Sequence, residues 1–248
     1  MKKCILITGG TGKIGKTISL HFAKEGHRVL FTSTTQDKVD DLLKVGRDLE
    51  GELIPIISAF ENDDSASEVF KRIKASGPFP STIIHNARSL SSLAIGDNGV
   101  SERSNLLKEY DMAVAFPYQL TMKLRTQSLK NIVFVSSIYG MVAPTPSLYD
   151  KFEESSPIQY GIAKSAQLHL TKELAVRLAP EVRVNAVSYG GIMGRVDTEF
   201  QKRYKNLTPM QKMLDEKDVI GPIDFLVSDK SKDITGQNIP VDGGWTIW

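Results

Sequence analysis

Tyr160 and Lys164 stand four residues apart in a stretch whose pattern predicts a helix over residues 158–178, so the phenol and the amine project from one face of it. A free tyrosine titrates at about 10, too high to act as a base at neutral pH. A neighbouring ammonium favours the phenolate, and in the reverse direction the phenol can hand its proton to a forming alkoxide. That is acid–base chemistry at an alcohol or carbonyl oxygen. A second cluster, Thr8-Gly9-Gly10-Thr11-Gly12-Lys13-Ile14-Gly15, offers mainly backbone. Glycines there let the chain turn sharply and approach a pyrophosphate, and a helix starting behind them adds free N–H groups and a favourable dipole. A tyrosine and a lysine at this spacing also arise on ordinary amphipathic helices, and glycines in ordinary turns. Each pattern takes its weight from the elements around it.

Those elements alternate. Apolar runs at Cys4–Thr8, 28–32, 53–57, 81–85, 131–135, 182–187 and 238–241 predict strands. Between them, 14–25 (ending at Gly26), a polar segment 36–49, 65–75, 104–125, 158–178 and 219–227 predict helices, with Pro117 a kink in the long fourth one. This rhythm argues for parallel β-α-β units in one doubly wound α/β sheet, and for a single domain over 1–248. The glycine turn then falls between the first strand and the first helix, where dinucleotides are held. The polar stretches 89–104 and 141–157 both follow strand ends, where ligands bind in open α/β sheets.

The bulk numbers narrow the classes. Over 248 residues, 41% are hydrophobic and 24% charged, ordinary for a globular protein with a full core, and the formal net charge of +2 gives no broad footprint for nucleic acid or an anionic membrane. Cys4 is the single cysteine, so there is no intrachain disulfide and no Cys/His cluster with metal spacing; a reducing, cytoplasmic setting is expected. The apolar start breaks at Thr8-Gly9-Gly10, too early for a signal peptide, and no stretch has the length of a membrane span.

Taken together, the glycine turn, Asn86-Ala87, Tyr160-x-x-x-Lys164, Ile234-Thr235-Gly236 and Val241-Asp242-Gly243-Gly244 resemble the short-chain dehydrogenase/reductase family over nearly the whole chain. The resemblance implies a Rossmann-type sheet, a nicotinamide cofactor, a small-molecule carbonyl or alcohol substrate and a homodimer or homotetramer. It assigns catalysis to Ser137, Tyr160 and Lys164, with Ser137 donating to the substrate oxygen (Ser136 if the register shifts by one) and Lys164 also holding the nicotinamide ribose. It places the cofactor against Gly9, Thr11, Gly12, Lys13, Ile14, Gly15, Ser33, Thr34, Asn86, Ala87, Arg88, Tyr160, Lys164 and Ile192, and it implies no metal.

Departures sharpen the picture. Lys13 stands where the second of three glycines is expected. The spacing Gly9, Gly12, Gly15 and the run Ser136-Ser137-Ile138-Tyr139-Gly140 are similar to the extended, epimerase-like branch, but the closing motif and the missing second domain favour the classical one. Ala113 takes the place of the family's asparagine and cannot hold the water that links the lysine to solvent; either another group replaces it or proton exchange runs differently. Arg88 replaces a glycine, and its planar fork suits a phosphate of the cofactor or of the substrate. Tyr189 replaces a proline before Gly190, and Ser58 an aspartate near the adenine. After the second strand, Thr32-Ser33-Thr34-Thr35-Gln36 carries no carboxylate to bind a ribose diol, although Thr34 also takes the place of the arginine common in NADP-preferring members. The expected cofactor is NADP, with Lys13 near enough in sequence to help, and NAD the alternative. The long interval between Ser137 and Tyr160 is read as a substrate loop. With the Gly243–Trp248 ending, it resembles reductase-like proteins of bacterial surface-sugar biosynthesis, although Trp245 and Trp248 could instead pack at a subunit interface. Two other readings remain: an epimerase or dehydratase on a nucleotide sugar, and a nucleotide-binding protein that lost turnover.

Overall fold

The structure, a computed structural model, describes residues 2–58, 60, 64–96, 99–125, 127–194 and 196–248. Among these residues, strands β1 (Cys4–Thr8), β2 (Arg28–Ser33), β3 (Glu52–Ile57), β4 (Thr82–His85), β5 (Asn131–Ser137), β6 (Arg183–Tyr189) and β7 (Asn238–Val241) form one sheet in the order β3-β2-β1-β4-β5-β6-β7. Every neighbouring pair is parallel, so each strand returns through a crossover. The crossovers carry α1 (Lys13–Lys24), α2 (Gln36–Val45), α3 (Ser65–Ala75), α4 (Arg103–Tyr110) and α5 (Phe116–Leu124). The short α6 (Phe152–Ser155), the long α7 (Ile158–Leu178), α8 (Thr198–Asn206) and α9 (Ile220–Val227) follow.

Strand alternation divides the interior into two apolar layers. On one face Leu6, Leu30, Ile83, Ile132, Phe134 and Val184 pack with side chains of α3, α5 and α7. On the other, Ile5, Ile7, Val29, Ile84, Val133 and Val187 pack with α1 and α9. This is the Rossmann-type, doubly wound, single-domain architecture expected from the alternating pattern. Its chain order reverses beside β1, between β2 and β4, and leaves a crevice at the carboxyl ends of the strands.

Two differences from the sequence expectation matter for the site. β5 and β6 run past their apolar cores, because Ser136 pairs with Ser188 and Ser137 with Tyr189; the expected serine therefore sits on the sheet's last rung. The helix expected over 104–125 is three pieces. Asp111–Ala115 is wound as a π-helix, with the Phe116 N–H donating to the Asp111 carbonyl. Pro117 has no N–H to offer the Ala113 carbonyl four residues before it, so the regular ladder fails at this turn.

The first crossover turn is tied to its neighbours by hydrogen bonds. Gly9 N donates to Thr32 Oγ1 (2.7 Å) and Gly10 N to the Thr32 carbonyl (3.0 Å). The amides of Asn86 and Ala87 both donate to Thr8 Oγ1 (3.0 Å each), and Asn86 Nδ2 donates to the carbonyls of Thr8 and Gly9 (3.1 Å each). Gly9 has φ +66°, and a side chain at Gly15 would run into the Gly9 carbonyl and come within 2.8 Å of Asn86 Nδ2. Gly15→Ala is therefore expected to cost about 1–3 kcal/mol of stability and to weaken dinucleotide binding. Urea unfolding and quenching of tryptophan fluorescence by nucleotide measure the two effects.

Candidate active site

A cleft of about 1490 Å³ runs along the carboxyl edge of the sheet. All fourteen residues assigned to the cofactor and all three assigned to catalysis line it. Its floor is the turn just described. The amides at the start of α1 have no partner within the helix, which leaves donors where a pyrophosphate would lie. Asn86 serves this floor by welding the end of β4 to the turn. Thr11 Oγ1 and Ser33 Oγ are 3.0 Å apart at the next step along the cleft.

Thr34 and Lys38 line the cleft near the end of β2, and the only carboxylate among its described lining residues is Asp111, on the far helix run. Lys13 behaves differently from expectation. Its amine donates to the Met193 carbonyl and pairs with Glu216 Oε1 at 3.3 Å. It clamps the segment after β6, and the ion pair takes up its charge.

At the other end α7 presents Tyr160 and Lys164. Lys164 is 6% exposed, and its ammonium donates to the Val135 carbonyl at the end of β5 (2.9 Å) and to Gln167 Oε1 (3.1 Å). Burial pushes its pKa down to about 8; the Glu109 carboxylate works against that shift and Arg88 adds to it. The ammonium lies 5.9 Å from the Tyr160 ring centroid, and the Arg88 guanidinium lies over the same ring at 5.0 Å. The Tyr160 ring thus has a cation near it from each of two elements, Arg88 after β4 and Lys164 on α7. Ser137 Oγ accepts from Tyr139 N at 3.2 Å, leaving its own proton to donate. The Ser136 hydroxyl is buried on the cleft wall with no partner among the described residues.

Beyond Tyr160 the wall is aromatic. Tyr139, Tyr149, Phe200 and Tyr204 line it, and the hydroxyls of Tyr139 and Tyr149 are 2.8 Å apart. Burial is the main reason that both phenols are held above their ordinary value. Tyr149, Ser155, Ser156 and Pro157 come from the long interval before Tyr160, so that segment covers the site, anchored by the fully buried Leu148. Trp245 is buried and stacked on Tyr204 at 4.6 Å within its own chain; Trp248 is exposed. Tyr189, in place of a proline, fills the core beneath the site and donates to the Val219 carbonyl at 2.6 Å.

A nicotinamide dinucleotide fits these residues: the glycine floor is a cradle that Cβ atoms would fill, and the cleft ends at a phenol and an ammonium. Among the described residues no group of His, Cys, Asp and Glu could hold a metal, and no helix is long and apolar enough to cross a membrane. The sequence reading missed Lys38, the Tyr139–Tyr149 pair and Gln167. Gln167 alone left a local trace, as a polar residue three positions beyond Lys164 on the same helix face.

A family model described as enoyl-(acyl carrier protein) reductase matches residues 11–246. An uncharacterized oxidoreductase, YmfI of Bacillus subtilis, is 31% identical over 99% of both chains. The 3-oxoacyl-[acyl-carrier-protein] reductase FabG of Thermotoga maritima is 27% identical over 99% of this chain and 98% of that one. A post-translational flagellin modification protein of Campylobacter coli is 36% identical over 50% of this chain and 48% of its own. Among solved structures, a short-chain dehydrogenase from Leptospira borgpetersenii with bound NAD+ superposes with a TM-score of 0.83 at 25% identity, covering 99% of this chain and 93% of that one.

If the phenol is the proton donor, Tyr160→Phe lowers kcat by about 10²–10⁴-fold with little change in fold by circular dichroism. Ser137→Ala is expected to cost about 10²-fold, the size of a lost oxyanion donor, and Ser136→Ala much less. Steady-state kinetics on the three variants read this directly, and the reverse order of the two serines would reassign the donor.

Proposed function

The chain belongs to the short-chain dehydrogenase/reductase family of oxidoreductases, and from that premise we propose that it reduces a carbonyl compound with NADPH, or runs the reverse oxidation. The observation that carries this reading is the convergence of Tyr160, Lys164 and Ser137 at one end of a cleft whose other end is the glycine turn. A nicotinamide held along this cleft would supply the hydride for the carbonyl carbon. Tyr160 gives its proton to the carbonyl oxygen, which Ser137 holds by a hydrogen bond, and Lys164 keeps a positive charge beside the phenol as it becomes anionic. In the oxidative direction the same phenolate takes the alcohol proton.

The choice of NADPH rests on Thr34 and Lys38 at the end of β2 and on the lack of a carboxylate beside them among the described cleft residues. A carboxylate there would bind a ribose diol and repel a 2′-phosphate. Lys13 also lines the cleft, but its charge is shared with Glu216 at 3.3 Å. Arg88, exposed at its rim of the cleft and stacked on Tyr160, is placed to meet a phosphate or carboxylate of the substrate or the cofactor.

A second reading concerns the substrate. The half-length likeness to a flagellin modification protein and the aromatic wall of Tyr139, Tyr149, Phe200 and Tyr204 favour a sugar-derived ketone, handled in bacterial surface-sugar biosynthesis. The flat apolar faces and paired hydroxyls of that wall suit a ring that carries its own hydroxyls. The proposal includes a cytoplasmic location and assembly into a homodimer or homotetramer. Half of Leu107 and Tyr110 on α4, and more than half of Ile158 and Ile162 on α7, lie exposed, a surface suited to a second copy of the chain.

The deciding experiment follows NADPH oxidation against simple ketones, acyl thioesters and sugar-nucleotide ketones, with Tyr160→Phe as control. Activity that survives in the control would defeat the mechanism. For the cofactor, kcat/KM is expected to favour NADPH over NADH, and Lys38→Glu to reduce that preference by about tenfold, the worth of one charged contact near a surface. A wild-type preference for NADH ends the claim.

A further inference from the structure

We propose that Gln167 is a positioning residue for Lys164: its carboxamide fixes the ammonium to the broken turn before α5. The inference rests on the reductase reading above.

Three hydrogen bonds define the bridge. Lys164 Nζ donates to Gln167 Oε1 (3.1 Å), Gln167 Nε2 donates to the Ala113 carbonyl (3.1 Å), and Lys164 Nζ donates to the Val135 carbonyl (2.9 Å). Gln167 is 2% exposed, so its amide has little access to water and must find partners inside. Both of its polar ends are matched: the oxygen faces a cation, and one N–H faces a carbonyl that Pro117 cannot serve. The register of α7 makes this possible, because Lys164 and Gln167 are one helical turn apart and share a face. The bridge therefore joins α7 to the π-wound segment Asp111–Ala115 at the level of the catalytic lysine.

The arrangement has two consequences. Two of the ammonium's three protons point at fixed oxygens, which leaves one for the cleft, where Tyr160 and a bound ribose would lie. Gln167 Oε1 also favours the charged form of a lysine that burial would otherwise discharge. The other charged and titratable groups around the ammonium are Tyr160 on its own helix, Glu109 on α4 and Arg88 after β4. Lys108 and Asp111 line the same cleft. Only Glu109 among these favours the ammonium strongly enough to be resolved, and it acts without a direct hydrogen bond, being engaged by the Ser92 hydroxyl at 2.5 Å. Gln167 is thus the one side-chain acceptor in contact with Lys164 among the described residues.

Two substitutions move Lys164 in opposite directions. Gln167→Met keeps the length and removes the acceptor, so the Lys164 titration midpoint is expected to fall by about one pH unit. Gln167→Glu keeps an acceptor and adds negative charge, so the midpoint is expected to rise by a similar amount. The midpoint is read by NMR of the full-length protein with carbon-13 at lysine Cε, the Lys164 signal being assigned by its loss in Lys164→Arg. The alkaline limb of kcat, where the ammonium is lost, is expected to follow both shifts, and kcat at pH 7 to fall about tenfold in Gln167→Met. If Gln167 only caps a carbonyl, both variants lose stability while the midpoint and the limb stay where they are, and the proposal is overturned. Should Gln167→Met fail to fold, Gln167→Glu decides alone: a midpoint that does not rise overturns it. The titration needs no substrate, so a failure of the reductase reading would show as absent turnover in the wild type and not as an unmoved midpoint.

Discussion

A buried ammonium must find oxygen, and much of this active site follows from that constraint. Lys164 sits between a sheet edge and a helix with almost no access to water, where burial favours its neutral form and only oxygen partners keep it charged. The partners come from three separate parts of the chain: a strand-end carbonyl at Val135, a side chain one turn along α7, and through it a carbonyl in Asp111–Ala115. Each partner depends on a local irregularity. β5 must end close to α7, and the run before α5 must depart from the regular ladder, as Pro117 ensures. Catalytic geometry and the satisfaction of a buried charge are here one problem with one solution.

The other end of the cleft is organised by close approach of backbone. Thr8 and Thr32 hold the turn with their hydroxyls, and Asn86 pins it to β4. Glycine is required where the chain turns with positive φ at Gly9 and where α1 starts against the Gly9 carbonyl at Gly15. The sheet order places this rigid floor beside β4 and β5, whose ends carry Arg88 and Ser137. A dinucleotide laid from Thr34 to Tyr160, as proposed, would span the sheet's switch point.

The sequence made legible whatever is periodic or local. Apolar runs marked the strands because parallel strands are covered on both faces, and the Tyr160–Lys164 spacing marked the helix face that lines the cleft because a helix repeats every 3.6 residues. The strand ends were misjudged by two residues at Ser136–Ser137 and Ser188–Tyr189, because polar residues can still pair when the neighbouring strand continues. The break at Asp111–Ala115 was hinted at only by Pro117. Contacts made across long separations left no trace: Tyr139 with Tyr149 depends on how the 141–157 segment folds back, and Trp245 on Tyr204 depends on where the chain's end returns.

Lys13 shows how such a distant contact changes a functional argument. Read locally, a lysine in the phosphate-binding turn is a cation awaiting an anion, which counted toward a 2′-phosphate. In the fold it reaches the Met193 carbonyl, 180 residues away in sequence, and Glu216, and ties the segment after β6 to the first turn. Ile192 lies on that segment and on the cleft wall, so the clamp shapes the site without offering it a free charge. The proposed preference for a phosphorylated cofactor then rests on the residues after β2, where Thr34 provides a hydroxyl and Lys38 a cation outside the salt bridges among the described residues. The lysine that sequence proximity favoured makes a structural tie, and the one it passed over, in the first turn of α2, lines the cleft with its side chain exposed.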